Sequence, residues 1–291
     1  MLPLVAIFVR EQEKLASQVH RIGMARIYYL LPVLLVASSV AAAIVIRDDV
    51  PDSQYLVSEN EFPALVDLPS EGHGILISRQ WVVTVAHAVR SEPINQVTIN
   101  GKIHVVTEQI VNPGFKFPSY DPISMSGDAG PLMAAFAAMD DIALLKLAEP
   151  VHDVKPVTLY RGSSEQGKLV KIYGKGATGN GLVGEYQDSP HRGRLRRAYN
   201  YIISSEGKWL GCRFDSGAKA HPFEGQLGNG DSGGPVLLEV DGVWELAGLA
   251  DRRFWKGDLA SYRRGIYGQV TYQVRISHYA GWIDRVMTDH K

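Results

Sequence analysis

One cysteine, Cys212, stands among 291 residues, so no intramolecular disulfide can brace this chain. A free cysteine is most often a small buried hydrophobe, and Cys212 is read that way. Charge of one sign is also missing: 30 Lys and Arg face 31 Asp and Glu, for a formal net charge of −1. That balance gives no global field to hold nucleic acid, or to favour a strongly basic or acidic partner. The nine histidines are scattered, and none sits in a Cys/His spacing for zinc. No metal and no cofactor is expected. No internal period appears. Helical periodicity is scarce, the one convincing case being 277–287, where Trp282, Ile283 and Val286 share a face. Without long helical patterns between the strands, a parallel α/β sheet is excluded.

What is present begins with an uncharged run, Ile27 to Ile46, behind Arg10, Lys14, Arg21 and Arg26. About 20 apolar residues can span a bilayer. The second half of the run is small rather than bulky, however, and Ala41-Ala42-Ala43 offers a small-x-small cleavage pattern. Residues 1–43 are therefore read as a signal peptide or membrane anchor, with cleavage after Ala43 the leading reading. Met24-Ala25-Arg26 makes a complete signal start, so 1–23 would be an upstream extension from a misassigned start codon. Either way the positive flank stays inside and the remainder is exported. The expected location is secreted or periplasmic, or membrane-anchored outside the cytoplasm if 27–46 stay uncleaved.

From residue 44 onward, short apolar runs alternate with turn signals. Examples are 74–78, 81–87, 96–101, 102–111, 141–147, 168–174, 235–240 and 243–250. Val, Ile, Tyr and Leu dominate them, as half-buried strands require. Asn100-Gly101 and Asp241-Gly242 are hairpin turns. The pattern predicts an all-β sandwich or barrel. The insert 112–139, rich in Gly, Pro and Ser, reads as a long loop with one short helix at 131–139.

Gly228-Asn229-Gly230-Asp231-Ser232-Gly233-Gly234-Pro235 is poor material for helix or strand, because glycine loses the most freedom on ordering. Glycines kept here imply unusual backbone angles or a close approach to the backbone. A nucleophile loop needs both, with N–H groups converging on a developing oxyanion. Ser232 is the candidate nucleophile. A serine hydroxyl needs a base, held in turn by a third group. His87 ends the apolar run Trp81 to Ala86, at the point where a buried strand reaches the surface. Asp141 opens the run Ile142-Ala143-Leu144-Leu145, an apolar setting that would keep a carboxylate dry, and Asp140 is its alternative. Alone, His87 would pass for an idle strand-end histidine and Asp141 for a turn residue.

Together these segments resemble the chymotrypsin-like (trypsin-fold) serine peptidases. The resemblance is carried by Thr84-Val85-Ala86-His87, Asp141-Ile142-Ala143-Leu144 and Gly230 to Pro235. Support comes from Gly72 to Ser78, Tyr173 to Thr178 and Tyr279 to Ile283. It implies an all-β chain of two antiparallel six-stranded β-barrels over 44–291. The first would span about 44–155 and the second about 156–276, with a C-terminal helix at about 277–287. It implies Ser232 as nucleophile, His87 as base and then acid, and Asp141 as the orienting carboxylate. The N–H groups of Gly230 and Ser232 would form the oxyanion hole. The expected partner is a polypeptide substrate, and the expected state a monomer. Asp231 would pair with a freed Ile44 amino terminus, although Ile46-Arg47 stands where the family usually has two glycines; the alternative is a local side chain or backbone N–H group. The primary pocket would involve Gln226, Leu227 and Gly268, with no buried acid to select Lys or Arg. Asp251-Arg252-Arg253, on the expected pocket wall, is read as solvated charge, with recognition of an acidic or polar side chain as the alternative. The basic cluster Arg192 to Arg197 is read as a solvated edge, with an anionic partner site or a loop open to self-cleavage as the alternative. The alternatives are an esterase with the same triad, or a non-catalytic binding protein on the same fold. Lack of disulfides suggests a bacterial exported protein more than an animal digestive enzyme.

Overall fold

The computed structural model describes residues 44–118 and 127–290. The signal or anchor segment 1–43, its cleavage after Ala43 and part of the 112–139 insert lie outside the described residues. Among the described residues no helix is long and apolar enough to cross a membrane.

The sixteen strands run in this order: β1 (Val45–Ile46), β2 (Leu65–Asp67), β3 (His73–Ser78), β4 (Trp81–Thr84), β5 (Gln96–Ile99), β6 (Lys102–Val111), β7 (Ala143–Leu147) and β8 (Leu169–Gly174). Then come β9 (Gly179–Asn180), β10 (Gly184–Glu185), β11 (Arg196–Glu206), β12 (Trp209–Arg213), β13 (Gly225–Gln226), β14 (Pro235–Val240), β15 (Val243–Arg253) and β16 (Val270–Arg275). Helix α1 (Gly130–Ala138) lies between β6 and β7, and α2 (Ile276–Asp289) follows β16. Two closed six-stranded barrels result, in the orders β2-β3-β4-β7-β6-β5 and β11-β12-β16-β15-β14-β8, with every pair antiparallel.

Turn chemistry sets the registers. Asn100 (φ 49°) with Gly101 (φ 74°), and Asp241 (φ 49°) with Gly242 (φ 80°), adopt the left-handed pair that a tight two-residue hairpin demands. Side-chain alternation then divides the core. On β4 and β7, Val82, Ala143, Leu145 and Leu147 fill the interior of the first barrel, while Val83 and Leu144 face outward into a second cluster. That second cluster also takes Leu237, Leu246, Leu249 and Val274 of the second barrel, and Ile276, Tyr279 and Ile283 of α2. Both faces of the central strands are therefore buried, so their sequences read as continuous apolar runs and not as a strict alternation. Cys212 belongs to the interior of the second barrel, where burial pushes its thiol up to about 12.

Three expectations shift. Residues 45–46 do not open the first barrel. β1 instead lies between β9 and β13 in a small separate sheet, β10-β9-β1-β13. The short helix spans 130–138 with Pro131 in its first turn, where a missing N–H is harmless. The basic cluster is not a solvated edge. Arg196 is buried and forked onto both oxygens of Asp52 at 2.7 and 2.8 Å, Arg197 pairs with Glu61, and Arg192 pairs with Asp67.

Candidate active site

β4 carries the chain inward to Thr84, whose hydroxyl donates to the His73 carbonyl at 2.6 Å. A single 3-10 turn, Ala86–Val89, then presents His87 at the barrel edge. Asp141 sits just before β7, completely buried. Its Oδ1 accepts from the His87 backbone N–H at 2.8 Å, and its Oδ2 lies 2.7 Å from His87 Nδ1. Ser232 Oγ lies 2.8 Å from His87 Nε2. An ionised carboxylate only accepts, so Nδ1 carries the proton and Nε2 is left to accept from the Ser232 hydroxyl. Burial works most strongly against the imidazolium, but the charge and hydrogen bond of Asp141, with the charge of Asp251, together outweigh it and the His87 pKa is raised. Burial likewise works against the Asp141 anion, and the charge and hydrogen bonds of His87 hold its pKa low nonetheless. Asp140, the sequence alternative, is turned elsewhere and accepts from Lys208 Nζ at 2.7 Å and Tyr279 Oη at 2.8 Å.

The nucleophile loop uses its glycines. Gly230 has φ +88°, and a Cβ there would stand 2.6 Å from the His191 carbonyl oxygen. Only glycine fits that angle and that space. The loop is tied to β3 by Gly72 N–H to Gly230 O at 3.1 Å and His73 N–H to Ser232 O at 2.7 Å. Among the described residues, neither the Gly230 nor the Ser232 N–H donates to any protein acceptor. Buried-side backbone donors rarely stay unmatched, and a pair flanking a nucleophile suits a developing oxyanion.

In the uncleaved chain Asp231 is met by local backbone donors. Its Oδ1 accepts from the N–H groups of Lys175 (2.9 Å) and Gly176 (2.6 Å), and its Oδ2 from that of Gly228 (2.7 Å). The buried His73 ring stands between Asp231 (3.7 Å) and Asp67 (3.2 Å). Burial opposes its charge, but both carboxylates raise its pKa. Lys175 and Arg192 also face Asp67, whose carboxyl stands lowered to about 2 against the burial that would raise it. Ile44 is buried at φ +59° and its carbonyl accepts from the Thr178 hydroxyl at 2.7 Å. No hydrogen bond or ion pair joins Ile44 to Asp231 among the described residues. The clue in the sequence was Gly174-Lys175-Gly176: side chains at those glycines would collide with Asp231 and its neighbours.

A further carboxylate was missed. Asp251, near the end of β15, brings an oxygen within 4.8 Å of donor atoms on His87 and Asp141. Burial, then the charge of Asp141, pushes its carboxyl up to about 7. These three side chains have the separations a cation could bridge, but the Nδ1–Oδ2 distance of 2.7 Å is that of a hydrogen bond already made.

Beside Ser232 lies a cavity of about 50 Å³, lined among others by Leu227, Arg252, Arg253, Thr271 and Gln273. Gly268 is not in its lining, and Gln226 is buried behind it with both amide atoms unpartnered. The arginines are not solvated as expected. Their side chains are 12% and 11% exposed. Arg252 lies over the Trp209 ring at 3.9 Å and donates to Asp251 at 2.9 Å. Arg253 pairs with Glu185 and donates to the Leu227 carbonyl at 2.8 Å. On the other side of Arg252 a larger cavity, about 820 Å³, opens between α1 and the β11–β12 turn, lined by Met133, Ala137, Trp209, Phe254 and Tyr272.

Known proteins give a consistent reading. The family model described as Trypsin matches residues 53–283. The human protein named "Putative trypsin-6" is 27% identical over 270 residues, covering 86% of this chain and 96% of its own length. Bovine chymotrypsin-C is 25% identical over 223 residues, covering 73% of this chain and 76% of its own.

Proposed function

Because the chain belongs to the trypsin family, we propose that it is an exported serine endopeptidase that cuts polypeptides through Ser232, His87 and Asp141. The observation that carries this reading is the unbroken relay from Ser232 Oγ through His87 to Asp141, with contacts of 2.8 and 2.7 Å. Export rests on the apolar run 27–46.

Ser232 Oγ attacks the carbonyl carbon of the scissile bond as His87 Nε2 takes its proton. Asp141 holds the ring in the receptive tautomer and stabilises the imidazolium, remaining ionised throughout. The tetrahedral oxyanion is met by the N–H groups of Gly230 and Ser232. Collapse expels the amine, which leaves with the proton from His87 Nε2. Water then attacks the acyl carbon as His87 Nε2 takes its proton, the acyl bond to Ser232 breaks as that proton passes to Oγ, and the free acid departs.

The test is the release of new amino termini from an unfolded protein substrate. Ser232→Ala is expected to lower turnover by a factor on the order of 10⁶. Undiminished cleavage by that variant would sink the reading.

A further inference from the structure

We infer that the cavity beside Ser232 selects an aspartate side chain on the residue whose carbonyl Ser232 attacks. The inference rests on the proposed hydrolytic role of Ser232, and it names the substrate class of that same site.

Size comes first. A cavity needs roughly 10–15 Å³ of such space for each water-sized atom. The 50 Å³ beside Ser232 thus takes about three to five non-hydrogen atoms. The aspartate side chain has four such atoms, whereas phenylalanine, lysine and arginine are too large. Arg253 closes the cavity from one side, held there by Glu185 and the Leu227 carbonyl, and Thr271 narrows it from another.

Chemistry comes second. The wall is polar and rich in donors. Arg252 keeps a buried Nη1 and Arg253 a buried Nε with no partner. A guanidinium stays charged at any physiological pH and presents its N–H groups in a plane that matches a carboxylate. Both guanidiniums belong to the cavity wall beside the nucleophile, and each keeps a donor that the protein leaves unmatched, so the wall favours an acceptor.

Charge comes third. Glu185 answers Arg253, and its other contact is the Asn229 N–H. Asp231, which also borders the cavity, has its oxygens occupied by three backbone N–H groups and faces His73 behind. Asp251 faces Arg252, but its carboxyl is pushed up to about 7 and offers the guanidinium only part of a counter-charge near neutral pH. Arg252 is therefore the incompletely balanced charge on the wall. An incoming carboxylate completes it, and an alanine or leucine side chain does not.

The test uses two readouts on the full exported protein. In the first, kcat/KM is compared for peptides that differ only at the residue before the cut. Aspartate is expected to exceed asparagine, alanine, leucine and lysine by about tenfold or more, and Arg252→Gln to erase the aspartate-over-asparagine ratio. A ratio does not depend on how much of the variant is folded. In the second, Ser232→Ala is titrated calorimetrically with acetylated peptides ending in Asp, Asn or Ala, which needs no chemistry at all. Tighter binding of the Asp peptide by about tenfold is expected. If that preference holds while Ser232 proves unreactive, the pocket stands and the peptidase reading falls. Equal binding of the three peptides, or faster cleavage after alanine, leucine or lysine than after aspartate, overturns the pocket.

Discussion

Asp141 and Asp251 are the same side chain at nearly the same depth, one from each barrel, flanking one imidazole. Asp141 receives two donors from His87 and its pKa is held low. Asp251 receives one, from the guanidinium of the residue next to it, and stands near 7. Burial raises both groups, so burial cannot explain the difference. What separates them is the number and charge of the donors each oxygen meets, and Asp141, once ionised, is itself a reason for Asp251 to hold its proton. The orienting carboxylate is therefore defined by the atoms aimed at it, and not by residue type or depth.

The largest effect should come from breaking the stronger partner. Asp141→Asn removes the acceptor that fixes the His87 tautomer, and turnover on a peptide substrate is expected to fall by about 10⁴, the loss that defines this role in the family's triad. Asp251→Asn keeps a neutral group in place, and its turnover at pH 6 is expected to stay within about tenfold of the parent. Equal losses in the two variants would erase the distinction.

A third buried carboxylate extends the comparison. Asp231→Ala strands the N–H groups of Lys175, Gly176 and Gly228. Each orphaned donor costs about 1–3 kcal/mol, so urea unfolding should show a loss of several kcal/mol. A loss below about 1 kcal/mol would mean that water takes over those donors.

pH dependence sharpens the contrast with opposite signs. The folded Asp251 pKa, about 7, lies above its ordinary 3.8, so the folded state binds a proton that the unfolded state releases between these values. The stability from Asp251 is thus full below about pH 4 and is lost as pH rises through about 7. Asp141 is depressed, so its contribution is present above its ordinary pKa and lost as acid is added. Asp251→Asn should therefore flatten the fall in stability between pH 5 and pH 8 by a few kcal/mol at most, as read by urea midpoints. An unchanged slope would show that Asp251 ionises freely in the fold.

The smallest effect should belong to Asp140, the immediate neighbour of Asp141. Its Oδ1 serves Lys208 and Tyr279 on the far side of the site. Asp140→Asn is expected to cost about 1 kcal/mol of stability, with turnover unchanged within about twofold. A large loss of turnover would bring Asp140 into the relay.

These differences also mark what the sequence made readable. The hairpins at Asn100-Gly101 and Asp241-Gly242 could be seen because the turn is written in adjacent residues. The apolar runs announced the strands for the same reason, while the division into two barrels came only with the family resemblance. Ser232, His87 and Asp141 stood out because each sits in its own local motif. Asp251-Arg252-Arg253 did not, since three charged residues in a row normally face solvent. They are half-buried because β15 lies between β14 and β16, and because Glu185, Trp209 and Asp141 arrive from distant parts of the chain. Two-residue strands such as β1 are equally silent, having no periodicity to detect. The local donors of Asp231 were hidden in a glycine pattern that reads as a turn until the carboxylate between its N–H groups is seen.

The central claim is that His87, oriented by Asp141, activates Ser232. Mass spectrometry of the exported protein after exposure to a fluorophosphonate tests it most directly. The account predicts a single adduct, on the peptide containing Ser232, that forms at least about a hundredfold more slowly in His87→Ala. An adduct on another residue, or labelling of Ser232 at the same rate without His87, would contradict it.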